Sequence, residues 1–202
     1  MPLQKIIVSS RSQLYIWFIT ESVDELLSAF DGQTSGEYLR WRSPVHQKQF
    51  LAKSLLLKYL HLDKKLEYLP SGKPVLSNQD YISVSHSGKR VAVAVSSQEI
   101  GLDMEAAHPK LLKIAPKFVH PSEKKIFNTQ KIEDLQYLWT AKESIYKLAG
   151  QKGLRFQQDI ILQDFDPAKN TARALLGQQQ EIILFFNKIR PDYLTAQAFY
   201  QG

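Results

Sequence analysis

The chain has no cysteine. That absence excludes a disulfide scaffold, an iron–sulfur or thiolate–zinc centre and a cysteine nucleophile. Long hydrophobic runs are missing too. None reaches the ~18 apolar residues of a membrane span, so no membrane partner is expected. The first residues, MPLQKIIVSSRSQLYIWFITES, do not follow the signal-peptide order of basic, apolar and small-residue regions. The cytoplasm is the expected compartment. Glycine and proline are sparse, nine of each, with no low-complexity linker. A basic tail or arm is also lacking: residues 1–99 hold 12 Lys and Arg against 9 Asp and Glu, and residues 100–202 hold 14 against 11. So even a spread does not suit a non-specific nucleic-acid binder, which concentrates its charge.

What is present is an ordinary globular composition, 44% apolar and 23% charged over 202 residues. It is enough for one generous core or two small ones. The net charge of +6 is a diffuse positive field that suits an acidic partner: nucleic acid, a phosphorylated small molecule or an acidic protein.

Patterning predicts strands at 5–8 and 14–19, then a helix opened by the capping box Ser22-Val-Asp-Glu25 and running to about Phe30. Residues 45–60 are an amphipathic helix with Phe50, Leu51, Ser54, Leu55 and Lys58 on one face. Strands follow at 81–86 and 91–96, joined at Ser87-Gly88-Lys89, and another at 99–105. Helices are predicted at 109–118, 121–129 and 132–149, then strands near 159–163, 181–187 and 193–199. Each half runs strand, helices, antiparallel strand pair. This α+β layout predicts two similar lobes, 1–99 and 100–202, with a cleft between them as the candidate ligand site.

In Ile100-Gly-Leu-Asp-Met-Glu105, period-2 alternation puts Gly101, Asp103 and Glu105 on one face. The paired carboxylates face water or hold a hard cation such as Mg²⁺. Gly101 beside them is expected to leave room for a ligand. On the helix at 132–149, Leu135, Leu138, Trp139, Ile145, Tyr146 and Ala149 form an apolar stripe, and Lys142 falls inside it. A lysine there snorkels out or meets an anion such as a phosphate where the stripe ends. Glu143 and Lys147 lie on its flank, one turn apart, either as a surface ion pair or with Glu143 completing a cation site with Asp103 and Glu105, or acting as a base. The hairpin around Ser85, His86 and Gly88 offers phosphate donors or a rim histidine. It has no G-x-S-x-G elbow and no second His or Cys at zinc-ligand spacing. Ser71-Gly-Lys73-Pro places one lysine in a rigid loop without the P-loop pattern.

In this order the pieces resemble the Sfp-type (group II) 4′-phosphopantetheinyl transferases. They are Gly72-Lys73-Pro74, Ile82-Ser-Val-Ser85-His86-Ser87-Gly88, Ile100-Gly101-Leu-Asp103-Met-Glu105, Phe118 to Glu123, and Trp139-Thr-Ala-Lys142-Glu143-Ser144-Ile-Tyr-Lys147. The specific part is G-x-D-x-E followed some 40 residues later by W-x-x-K-E-S-x-x-K. The resemblance runs from about residue 70 to 155.

It implies two α+β lobes related by a pseudo-twofold, with coenzyme A between them. It implies transfer of the 4′-phosphopantetheine arm to a serine of an apo carrier protein, with release of 3′,5′-ADP. By the same resemblance, Asp103, Glu105 and Glu143 are the Mg²⁺ ligands, with Glu143 also the base. Lys142 and Lys147 contact phosphates or the reacting centre, Ser85 and His86 hold coenzyme A phosphates, and Lys73 lies at the nucleotide end. Arg40, Arg42 and Lys48 are the candidates for the 3′-phosphate and adenine. Ala107 stands where a polar residue often follows the second acid, and Gly150-Gln-Lys-Gly153-Leu154 has one residue more than the usual G-x-G-L. The expected partner is an acidic carrier met by residues 106–130 through Lys110, Lys113, Lys117, Lys124 and Lys125. The expected state is a monomer that binds no nucleic acid. The rival readings are a basic nucleic-acid module and a family member that binds a carrier without catalysis.

Overall fold

The computed structural model describes residues 3–9, 12–30, 36–77, 80–189 and 192–201. Strands β1 (Leu3–Ser9) and β2 (Ser12–Phe18) form a hairpin. Helix α1 (Val23–Ser28) opens as its capping box dictates: the Ser22 hydroxyl accepts from the Glu25 N–H, and the Glu25 carboxylate accepts from the Ser22 N–H. Helix α2 (Pro44–Tyr59) carries its proline in the first turn, where the missing N–H costs nothing. It buries Leu51, Ala52, Leu55 and Leu56. The short pair β3 (Leu66–Tyr68) and β4 (Pro74–Leu76) brackets the Ser71-Gly-Lys loop. The hairpin β5 (Tyr81–Ser87) and β6 (Arg90–Ser96) completes a four-stranded antiparallel sheet in the order β1-β2-β6-β5.

The second half begins with β7 (Gly101–Ala106), α3 (Lys110–Phe118), a 3₁₀ turn at Pro121–Lys125 and the long α4 (Ile132–Ala149). Gly150 ends α4 in the left-handed conformation, φ +60°. The short α5 (Phe156–Asp159) leads into β8 (Ile160–Asp166), β9 (Thr171–Leu176), β10 (Gln180–Ile189) and β11 (Tyr193–Tyr200). These strands form a five-stranded sheet in the order β7-β11-β10-β9-β8. The repeated layout is real at the level of strand order. β2, helices, β5 and β6 assemble as β2-β6-β5; β7, helices, β10 and β11 assemble as β7-β11-β10.

The layers run helix, sheet, sheet, helix. Trp17, Val91 and Val93 face α1 and α2, while Leu14, Ile16, Ala92 and Ala94 meet Leu102, Met104, Ile189 and Phe199 of the second sheet. β6 is therefore buried on both faces, and its central VAVAV run is apolar without a solvent-facing alternate. α4 lies against β7 and β11.

Three expectations change. The helix predicted over 121–129 is a single 3₁₀ turn, because the Glu123 side chain turns inward rather than along a helix surface. Strand β9 and the β3–β4 pair were not predicted; each is short and gains its order from a neighbour. Gly101 does not open space for a ligand. A Cβ there would overlap the Ser144 carbonyl and lie 2.6 Å from the Leu148 nitrogen, so the glycine lets α4 sit directly on β7.

Candidate active site

β5 and β7 run side by side where the two sheets meet, and serines stitch them. The Ser83 hydroxyl accepts from the Leu102 N–H (2.9 Å) and the Ser85 hydroxyl from the Met104 N–H (3.2 Å). Ser85 donates to Asp103 Oδ1 (2.9 Å), and Ser87 donates to Glu105 Oε2 (3.1 Å). Serines two apart share one face of a strand. Here that face meets β7, so hydroxyls satisfy the partner's N–H groups and reach both acids.

Lys147 extends from α4 to the same point. Its ammonium donates to Asp103 Oδ1 (2.8 Å) and Ser85 Oγ (3.0 Å). Asp103 is almost fully buried, and among the described residues its second oxygen, Oδ2, has no hydrogen-bond partner. A bare anionic oxygen in the interior is costly unless a cation meets it. Burial, and then the charge of Asp103, push the Glu105 carboxyl up to about 7; the Ser87 hydroxyl and Lys147 oppose this. Glu143 is also pushed up to about 7, by burial first and then by Asp103, with Lys147 opposing and Glu105 adding. Sequence proximity to an acid pair thus becomes three mutually repelling carboxylates around one ammonium. The donors are all oxygens, the set a hard cation such as Mg²⁺ takes. Among the described residues no three acidic or histidine side chains close into a finished metal cage. Lys147 occupies one oxygen of Asp103.

Lys142 is placed elsewhere. It is fully buried on the far side of α4, where its ammonium binds Glu123 Oε1 (2.8 Å) and the carbonyls of Phe156 (2.8 Å) and Ile160 (2.6 Å). Burial lowers its pKa, and the Glu123 carboxylate opposes that shift. The anion that satisfies this lysine in an apolar stripe is a protein carboxylate, not a phosphate, so Lys142 is corrected from a phosphate contact to a structural ion pair. Glu123 has its own donors, the N–H groups of Leu162 and His120.

Lys73 lies at the C-terminal end of α4. It donates to the Leu148 carbonyl (2.7 Å), as a cation at a helix C-terminus does, and pairs with Glu99 (3.5 Å). With Pro74, Ser83, Tyr146, Lys147 and Lys152 it lines a cavity of about 220 Å³. His86 is exposed; partial desolvation, and then the charge of Lys147, hold its pKa below the usual value. Lys48 lines a second cavity of about 370 Å³ with Phe18, Val45, Gly88 and Lys89. Arg40 and Arg42 are exposed and line neither cavity. Sequence reasoning missed Ser87 as a partner of Glu105, Glu123 as the partner of Lys142, and Gln136. The last donates from α4 to the carbonyls of Glu105 (2.8 Å) and Asp192 (3.1 Å).

A family model described as the 4′-phosphopantetheinyl transferase superfamily matches residues 99–198. The chain is 34% identical to 4′-phosphopantetheinyl transferase Sfp of Bacillus subtilis (strain 168), across 54% of this chain and 52% of the relative. It is 32% identical to 4′-phosphopantetheinyl transferase gsp of Aneurinibacillus migulanus, across 70% of this chain and 55% of that one. It is likewise 32% identical to 4′-phosphopantetheinyl transferase ffp of Bacillus subtilis, across 69% of this chain and 68% of the relative. The match thus spans about half the length of the first two relatives and two thirds of the third.

Proposed function

The chain belongs to the Sfp-type 4′-phosphopantetheinyl transferases, and from that premise we propose that it moves the phosphopantetheine arm of coenzyme A onto a serine of an apo carrier protein. The carrier serine oxygen attacks the β-phosphorus, the bridging P–O bond breaks, and 3′,5′-ADP leaves. The single observation that carries this is the bare Asp103 Oδ2, set among Glu105, Glu143 and Lys147 where the two sheets meet.

In this proposal Asp103, Glu105 and Glu143 hold Mg²⁺. Held there, Mg²⁺ would supply positive charge against the phosphates. Glu143 accepts the serine proton, directly or through a water. A cation beside it would keep this carboxyl ionised, the form that accepts a proton. Lys147 holds Asp103 in place and offers its ammonium to the phosphates. Ser85 and Ser87 orient Asp103 and Glu105, while Lys73, with His86 at the strand edge, faces the nucleotide end. Lys48, Arg40 and Arg42 are the outer phosphate contacts. Lys142 stays outside the reacting group.

Residues 1–99 and 100–202 act as the two lobes, and the chain works as a cytoplasmic monomer. An acidic carrier helix is its partner. Lys110, Lys113 and Lys117 along α3, with Lys124 and Lys125 on the 3₁₀ turn, are all exposed and supply the complementary charge. The test is to incubate the chain with an apo carrier, coenzyme A and Mg²⁺ and to weigh the carrier. A gain of one phosphopantetheine arm is expected. No gain with peptidyl, polyketide or fatty-acid carriers would refute the assignment.

A further inference from the structure

At the end of the seam where Ser87 meets Glu105, the two sheets are fastened by a second contact. Arg90, the first residue of β6, is buried, yet its guanidinium carries a full charge. Its central carbon lies 3.8 Å from the ring centroid of Tyr193, on β11 of the other sheet, and 4.8 Å from that of Phe18 on β2. Arg90 is the register partner of Ser87 in the β5–β6 hairpin, and Tyr193 is the register partner of Ala106, the residue after Glu105. The hydroxyl of Tyr193 also fills the space where a side chain at Gly88 would stand. The hairpin turn is held from behind by Gln49, whose amide donates to the Gly88 carbonyl (2.9 Å).

We infer that Tyr193 and Arg90 form a clasp between the sheets that fixes the β5–β6 turn against β7, and so sets the position of Glu105 and the affinity of the site for a divalent cation. Both are positioning residues: neither touches a reacting atom. The clasp acts through Ser87, whose register partner is Arg90 and whose hydroxyl meets Glu105, the residue before the Ala106 that pairs with Tyr193. A cationic group over an aromatic face is attracted most strongly when both are dry, and Arg90 is dry. Loosening it lets the turn drift from β7, lengthens the Ser87–Glu105 hydrogen bond, and leaves Glu105 less well placed. This inference rests on the cation site proposed above.

The probe is Mn²⁺ alone, with binding followed by the paramagnetic resonance signal of the free ion and folding followed by urea denaturation. Tyr193→Leu is expected to weaken Mn²⁺ binding roughly tenfold, the scale of a desolvated cation–π contact. In turnover it raises the KM for the cation more than it lowers kcat. Tyr193→Phe keeps the ring over Arg90 and binds as the wild type does. Gly88→Ala drives a methyl into the Tyr193 hydroxyl and weakens binding while both clasp residues remain. Pairing it with Tyr193→Phe removes the clash, the nearest remaining ring carbon being 3.5 Å away, and recovers part of the binding; the rest stays lost to the strain of an alanine at φ +54°. Should Tyr193→Leu fail to fold, the Gly88→Ala and Tyr193→Phe pair gives the same readout. A folded Tyr193→Leu or Gly88→Ala variant that binds Mn²⁺ like the wild type overturns the clasp alone. A wild-type chain that binds no Mn²⁺ overturns the clasp and the cation site together.

Discussion

Consecutive helix residues point about 100° apart, so Lys142 and Glu143 leave α4 in different directions. Lys142 goes into the core between α4, the 3₁₀ turn and β8; Glu143 goes toward Asp103. Their substitutions should therefore separate stability from activity. Lys142→Met strands the buried Glu123 carboxylate, and removing one partner of a buried pair costs about 3–5 kcal/mol. Urea denaturation should show a loss of that order. Glu143→Gln keeps the shape and relieves charge repulsion, so stability holds or rises, while transfer falls roughly 10²-fold or more if Glu143 is the base. A stable Lys142→Met would disprove the buried-pair account. Gly101→Ala tests a different constraint. The added methyl would meet the Ser144 carbonyl and the Leu148 nitrogen, which are helix backbone and do not yield as a side chain would. A loss of about 3 kcal/mol or more is expected from forced overpacking, and an unchanged denaturation midpoint would contradict it.

α4 and the β5–β7 seam show how far an element can be read before it is folded. The 3.6-residue stripe of α4 and its glycine cap were legible, because both are properties of one segment. The face on which Ser83 and Ser85 lie was legible too. Its occupant was not: period-2 alternation says which residues share a face, and only the fold says that the face meets β7. The same holds for Lys142, whose odd position in an apolar stripe was visible while its partner Glu123, 19 residues earlier, was not. The short strands escaped because their order comes from pairing rather than from composition. The seam makes its own prediction. Ser83 accepts the Leu102 N–H inside the protein, and Ser83→Ala leaves that donor without an acceptor. The expected cost is about 1–3 kcal/mol in urea denaturation, with Mn²⁺ binding little changed because Ser83 touches no acid. Ser87→Ala should do the opposite. It exposes no backbone group, but removes the hydroxyl that lowers the Glu105 pKa, so it weakens Mn²⁺ binding and spares stability.

The site spans both sheets: the carboxylates belong to β7 and α4, and the serines and Arg90 that steady them belong to β5 and β6. Protonation of the site is therefore linked to the stability of the whole molecule. Glu105 and Glu143 titrate near 7 when folded and near the ordinary 4.5 when unfolded. An acid whose folded pKa is raised contributes stability that is full below the unfolded value and is lost as pH rises through the folded one. Without a divalent cation, these two groups should lower the melting temperature steadily between about pH 4.5 and 7. His86, whose pKa is depressed by partial desolvation and by Lys147, works the other way through the histidine range. The acid contribution is therefore isolated by comparison with Glu105→Gln/Glu143→Gln, in which the downward slope should disappear. Mg²⁺ competes with the two protons and binds only the folded site, so it adds about 2.7 kcal/mol at a hundred times its dissociation constant. The gap between scans in Mg²⁺ and in chelator should be small at pH 5 and should widen toward pH 8. It should close at every pH in the double variant. Scans that run parallel from pH 5 to 8 would show that the cation does not meet these carboxylates.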